Sequence, residues 1–286
     1  MALHHLHLFA SRNTAFKDDE VLQENIIIHL ERGGTQGPVQ VSTSTDDSFA
    51  DLVTHEHPFE HIVHPQDLGR FIHIPTTPAQ GSIDLPPSIS TTLEDLGLKV
   101  STGPVVDFRL KEHLRDMPEP DSVPLLYPAH LSCSGTTWPV EGMKKANAIV
   151  YNADTAKWLY PTGFYCVVRR FSSKEEKRRI VASVIEPTSF HDAPMLGFEN
   201  HLNVLHNNKR GLPEFLARGL AVFLNATVVD QSFRQFSGHT QVNATDLKRM
   251  KYPSRPILCQ LGEWAAAQAG TLTQRQIDEK IETLTP

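Results

Sequence analysis

LHHLHLF (Leu3–Phe9) and ENIIIHLERGG (Glu24–Gly34) are two short, almost unbroken apolar runs, the second closed by Gly33-Gly34. Runs of that length bounded by turn residues predict strands. An Ile run with no polar alternation further predicts a strand buried on both faces, as in the central sheet of an α/β domain. PVQVSTS (Pro38–Ser44) adds a third candidate. No βαβ unit accompanies them within residues 1–45, so this segment reads as the end of an α/β sheet whose beginning lies outside the chain.

Beyond it, residues 46–98 are rich in Pro, His and Thr, with prolines at 58, 65, 75, 78, 86 and 87. Proline fixes φ and removes a donor, so this segment predicts a connector with one short strand (Arg70–Ile74) and a short helix near Ser90–Leu96. Residues 99–255 begin strand-rich. FYCVVRRF (Phe164–Phe171) and RRIVASVIE (Arg178–Glu186) flank a charged SSKEEK-containing tip and predict a hairpin. Helices follow. Leu212, Phe215, Leu216, Leu220, Phe223 and Leu224 share one helical face over Pro213–Asn225, and TVVDQSFRQF predicts another helix. Asn243 and Asp246 mark a further start that must end before Pro253. Residues 256–286 form a helical tail. It contains GEWAAAQA, closed by Gly270, and a Thr273–Gln276 capping box ahead of Ile277, Ile281 and Leu284. The fold class is therefore α+β: a partial α/β sheet followed by a mixed domain, strand-rich and then helical.

At 286 residues, 40% hydrophobic and 21% charged, the composition is that of a globular chain. No apolar run approaches the roughly 20 residues of a membrane helix, and MALHHLHLF lacks the features of a secretory signal. Three scattered cysteines, Cys133, Cys166 and Cys259, argue against a disulfide framework or thiolate zinc site, and predict a reducing, cytoplasmic setting. The net charge of −6 is uneven. Residues 1–98 hold 4 Lys and Arg against 14 Asp and Glu, whereas residues 144–255 hold 17 against 9. A basic block in an acidic chain suits a phosphate-bearing partner; the alternative is a solvated basic face.

THEHPFEHIVH places His55, His57, His61 and His64 close together, but Pro58 and Pro65 break the helix that would align three of them on a metal. A His-rich metal hydrolase is accordingly the weakest enzyme reading. Neither a G-x-S-x-G nucleophile turn, a phosphate loop nor a G-x-G-x-x-G occurs. The cationic elements carry more. Arg169, Arg170, Lys174, Lys177, Arg178 and Arg179 crowd the hairpin ends, where like charges destabilise a ladder unless something neutralises them. FSGHTQVNATDLKRMKYPS (Phe236–Ser254) sets His239, Thr240, Gln241 and Asn243 beside Lys248, Arg249 and Lys251. Amides can pair with adenine and hydroxyls can reach base edges or phosphates; equally, Asn243 can cap a helix and Gln241 can close a turn.

VSTGPVVDFR (Val100–Arg109), WPVEGMKKANAI (Trp138–Ile149), RRFSSKEEKRRIVA (Arg169–Ala182), LGFENHLNVLH (Leu196–His206) and FRQFSGHTQVNATDLKRMKYPS (Phe233–Ser254) occur in series. This series resembles the C-terminal half of the gamma-class adenine-specific DNA methyltransferases of restriction–modification systems. The opening runs resemble the last strands of their methyltransferase sheet. The resemblance implies a target-recognition domain on double-stranded DNA. Its DNA-contacting set would be Arg109, Lys144, Lys145, Arg169, Arg170, Arg178, Arg179, His239, Thr240, Gln241, Asn243, Lys248, Arg249 and Lys251. It implies that Phe16 stacks on a flipped target adenine. It implies S-adenosylmethionine in a separate catalytic half, and a cognate restriction endonuclease as a further partner. The cofactor loop and the Asn/Asp-Pro-Pro-aromatic motif of that family have no match here. DLPPS (Asp84–Ser88) has an intruding Leu85, and Ser88 where an aromatic is needed. The expectation is therefore a chain that does not methylate alone, with a stand-alone DNA-specificity protein as the alternative.

Overall fold

The computed structural model describes residues 1–10, 25–65, 70–74, 85–132, 135–172, 176–190, 193–237 and 240–285. They fall into two compact units, Met1–Asp84 with Gln231–His239, and Leu85–Asp230 with Thr240–Pro286.

The first unit carries a four-stranded sheet built from β1 (Ala2–Phe9), β2 (Ile26–Glu31), β3 (Val39–Ser44) and β4 (Val53–His57), in the order β2-β1-β3-β4. β1 runs antiparallel to β2 and parallel to β3, and β3 runs antiparallel to β4. Leu3, Leu6, Val39 and Val41 bury one face beneath Ile62 of the single-turn α1 (Phe59–Ile62). The three expected strands are present, but β2 departs from the reading in its burial. Ile26, Ile27, Ile28 and Leu30 are 41–53% exposed. β2 is an edge strand, and among the described residues α1 and its neighbours pack on Leu3 and Leu6 of β1 and on β3. An unbroken apolar run specifies a buried strand only where a layer covers it. The expected strand at Arg70–Ile74 is likewise absent. These residues instead run irregularly, with the Ile74 N–H donating to the Gln235 carbonyl at 2.8 Å.

Among its described residues the second unit holds two larger sheets and two two-stranded ones. Its strands are β5 (Ile89–Thr91), β6 (Lys99–Thr102), β7 (Leu114–Arg115), β8 (Ser122–Leu126), β9 (Leu131–Ser132), β10 (Gly135–Thr136), β11 (Ala148–Val150), β12 (Leu159–Pro161), β13 (Tyr165–Arg169), β14 (Ala182–Ile185), β15 (Met195–Phe198) and β16 (Leu202–His206). One larger sheet has the order β12-β15-β8-β11-β7 and the other β14-β13-β16-β6; the two-stranded ones are β9-β10 and one formed by β5 with a strand of the helical part. The β13–β14 hairpin forms as expected, with Tyr165 opposite Ile185 and Val168 opposite Ala182. Tyr160, Tyr165, Val167, Phe198, Leu202 and Val204, all buried, join both larger sheets in one core. The short helix expected near Ser90–Leu96 is replaced by β5 and a turn, which Asp95 secures by accepting the Thr92 N–H and hydroxyl.

The helical part comprises α2 (Glu214–Leu224), α3 (Thr227–Phe236), α4 (Ala244–Arg249), α5 (Arg255–Ala266) and α6 (Gln274–Leu284), with β17 (Tyr252–Pro253) pairing with β5. α2 and α5 cross at two glycines. A Cβ on Gly219 would lie 1.8 Å from the Leu258 carbonyl oxygen, and one on Gly262 would lie 1.8 Å from that of Phe215. Only glycine permits this approach. Thr273 and Gln276 form the expected capping box of α6, and Ile277 and Ile281 are its buried stripe. No helix among the described residues is long and apolar enough to cross a membrane.

Candidate nucleic-acid interface

Between β15 and β16 the chain turns at Glu199–Asn200–His201. The turn is pinned from several sides. The Asn200 N–H donates to the Val105 carbonyl at 2.9 Å and the Glu199 N–H to that of Leu126 at 3.0 Å. Gly103 lies so close that a Cβ there would sit 2.2 Å from the Glu199 carbonyl oxygen. The Glu199 side chain is fully enclosed. Its carboxylate accepts the His201 backbone N–H at 2.9 Å and contacts His201 Nδ1 at 2.6 Å. Burial pushes the Glu199 carboxyl above the ordinary range, against the lowering effect of these His201 contacts.

Two other segments close on this turn. The Arg170 N–H donates to the His201 carbonyl at 2.8 Å, so the end of β13 runs beside it. The Val242 N–H donates to the Arg170 carbonyl at 2.7 Å and the Ser172 N–H to that of Thr240 at 3.2 Å. Residues 240–242 thereby extend the sheet by backbone pairing, with Gln241 bridged to Phe171. Phe171 is 44% exposed, and its ring lies 4.7 Å from that of His201. The Arg170 guanidinium lies 5.8 Å from the Phe171 ring centroid. On the other side of the turn, Phe108 is 63% exposed and Lys145 Nζ pairs with Asp107 at 2.6 Å. Burial works to raise the Asp107 carboxyl, but hydrogen bonds from Lys145 and the Phe108 N–H, with the Lys145 charge, hold it below its usual range. Lys145, Arg170, Thr240 and Gln241, scattered in sequence, thus gather around one turn, with Arg109 two residues beyond Asp107. Thr240, Arg109 and Lys145 are exposed, as is Lys144 beside it.

Other expected contacts are placed differently. Arg179 is 1% exposed, its Nε donating to Ser172 Oγ at 3.1 Å. The adjoining backbone folds onto Asp230, whose Oδ1 accepts the N–H groups of Arg179 and Ile180 at 2.7 and 2.8 Å. A side chain so enclosed does not reach a phosphate. Arg178 spends its guanidinium on Gln274 Oε1 and the Ala226 carbonyl, at 2.8 and 3.0 Å. Arg169 pairs with Glu176. Arg169 and Arg178 are thus engaged by this chain's own groups, and enclosure is the physical reason the expectation of phosphate contact fails for Arg179. Asn243 forms a capping box with Asp246, whose carboxylate accepts the Asn243 N–H at 2.9 Å. Lys248 and Arg249 are exposed in the last turn of α4, where cations also complement the helix dipole, and Lys251 is exposed just beyond. Phe16 and His239 lie outside the described residues. The sequence reading passed over Glu199, His201 and Phe171. For Glu199 and His201 the only signal in the sequence is their i, i+2 spacing in LGFENHLNVLH, which gains meaning once the turn is folded; Phe171 carries none.

Among the described residues no group of three or more His, Cys, Asp or Glu can hold a metal ion. A cavity of about 870 Å³ in the second unit has Arg169, Lys177, Arg178 and Arg218 in its wall, among apolar residues such as Leu131, Val222 and Ile277. Glu176 and Glu186 in its wall pair with Arg169 and Arg218.

The chain is similar over nearly its whole length to Type II methyltransferases of bacteria. It is 54% identical over 283 residues to Type II methyltransferase M.BsuBI of Bacillus subtilis, an alignment covering 99% of this chain and 56% of that protein. It is 43% identical over 282 residues to Type II methyltransferase M.PstI of Providencia stuartii, covering 98% of this chain and 55% of that protein. The chain spans about half the length of the curated relatives it matches. No protein-family model matches it. The crystal structure of the type IIG restriction endonuclease BpuSI aligns with 100% of this chain and 41% of its own, at a TM-score of 0.43 and 10% identity, too remote to carry an argument.

Proposed function

We propose that this chain is the DNA-recognition part of a site-specific adenine-N6 methyltransferase of a restriction–modification system. The observation that carries the reading is the extent of the match: nearly all of this chain aligns at 54% identity, yet only 56% of the relative is covered. The sequence here lacks a Gly-rich cofactor loop and an Asn/Asp-Pro-Pro-aromatic motif. The remaining part of such a relative is the natural place for both. S-adenosylmethionine would supply an electrophilic methyl group. The cavity of about 870 Å³ carries four cations against two carboxylates, which disfavours the cofactor's sulfonium at that place.

The tasks left to this chain are binding and orientation. Exposed Lys144, Lys145, Lys248, Arg249 and Lys251 lie on its surface as phosphate partners, and residues 240–242 with Arg170 form a rigid segment from which side chains reach base edges. Phe16 stacks on the flipped adenine, and a cognate endonuclease reads the same site. The purified chain should bind duplex DNA with a steep salt dependence and transfer no methyl group alone. Co-expression with the part of M.BsuBI that this chain leaves unmatched should restore N6-methyladenine, measured by mass spectrometry of host DNA. Adenine methylation by the chain alone, or failure to bind duplex DNA at low salt, would refute the proposal.

A further inference from the structure

Phe171 and His201 belong to neither the expected phosphate partners nor the expected base readers, yet they occupy the middle of the interface. Their arrangement is unusual for surface residues. An exposed aromatic ring ordinarily has little to hold it, but Phe171 is fixed by its backbone bridge to Gln241 and by the His201 ring at 4.7 Å. His201 is 39% exposed at its side chain while its Nδ1 is held at 2.6 Å by a carboxylate that is itself fully buried. Enclosing a carboxylate is costly unless it is paired and hydrogen-bonded. That cost is offset here by the His201 ring and backbone, which fixes the ring's orientation tightly. With Nδ1–H donating to Glu199, the neutral ring carries its lone pair on Nε2, which has no partner among the described residues. The surrounding groups that bear charge are Glu199, Asp107, Lys145 and Arg170.

We propose that Phe171 and His201 form a base-reading element for duplex DNA, in which His201 Nε2 accepts a hydrogen bond from an exocyclic amine in the major groove and the Phe171 ring supplies apolar contact beside it. The inference rests on the DNA-recognition reading above and names two of its readers. The major groove presents such amines on adenine N6 and cytosine N4. A phosphate oxygen has no proton to give and does not suit a lone pair. Glu199 is a positioning residue: it holds the tautomer and touches no base.

The test uses the 286-residue chain and two probes: duplexes enriched by the wild-type protein from a randomised pool, and the unselected pool. Binding is measured at about pH 8 and at two salt concentrations. His201→Ala leaves the Glu199 carboxylate unpaired and risks misfolding, so the informative variant is His201→Asn. Its amide places a donor where Nδ1 was and deletes Nε2. His201→Asn should lose about ten- to hundredfold affinity for the enriched duplex, the range of a lost base-edge contact, and leave the unselected pool unchanged. Phe171→Leu should do the same to a smaller degree, and neither should alter the salt slope. Equal losses on both probes with a slope reduced by about 0.9 would make His201 a phosphate contact and overturn the inference. Unchanged affinity for the enriched duplex would overturn it too, while leaving the recognition reading standing. Failure of the wild-type protein to enrich any sequence would overturn both.

Discussion

Lowering the pH should unfold this protein partly through one histidine, His206. It closes β16, is 3% exposed, and packs edge-on against Tyr160 with ring centroids 5.4 Å apart. Its Nδ1 accepts the Lys209 backbone N–H at 3.0 Å, and Nε2 lies 2.9 Å from Ser101 Oγ. The ring is therefore held as the neutral Nε2–H tautomer, because a proton added at Nδ1 would face an N–H donor. Burial, with the Lys99 and Lys209 charges, pushes its pKa down from 6.5 to about 4. The unfolded chain binds this proton more readily, so stability is complete above pH 6.5 and falls as pH drops toward about 4. At 1.36 kcal/mol per pH unit, the loss is about 2 kcal/mol by about pH 5 and about 3 kcal/mol over the full window. His206→Asn keeps an acceptor for the Lys209 N–H and cannot take up a proton. It should be less stable than wild type at about pH 8, by a cavity cost of about 1–3 kcal/mol. Its stability should nonetheless fall less steeply with acid. Denaturant unfolding of both proteins from about pH 4.5 to about pH 8 measures the difference between their curves. Parallel curves would refute the reasoning.

Two contrasts follow from the site and the helical core. Arg179→Ala should cost at least about 2 kcal/mol of stability, because it empties an enclosed polar site, and leave the salt slope of DNA binding untouched; Lys248→Ala should cost less than about 1 kcal/mol in unfolding and lower that slope by about 0.9, both read from denaturation and salt titrations. Gly262→Ala drives a methyl to 1.8 Å from the Phe215 carbonyl oxygen, so α2 and α5 must separate. The expected loss is about 2–4 kcal/mol by thermal unfolding, and a loss under about 0.5 kcal/mol would mean that the crossing is looser than described.

Elements whose stabilising partners are close in sequence were legible from the residues alone. The β13–β14 hairpin, the apolar face of α2 apart from the exposed Phe215, the Asn243–Asp246 start of α4 and the Thr273–Gln276 cap of α6 each rest on periodicity or on contacts spanning a few positions. Burial was less legible, because it depends on what lies opposite. Ile26–Ile28 read as a core strand, yet they stand at a sheet edge, and composition carries no record of which layer is missing. Charge was legible as an amount and not as an assignment. The same arginine run holds Arg178, tied to residues 226 and 274, and Arg179, enclosed beside Asp230. The candidate interface belongs to tertiary structure alone. Residues 103–109, 145, 170–172, 199–201 and 240–242 meet because backbone pairing across two sheets brings them together. Glu199 becomes a clamp for His201 only when the turn buries its carboxylate, since in the unfolded chain water satisfies both groups and nothing selects that pair.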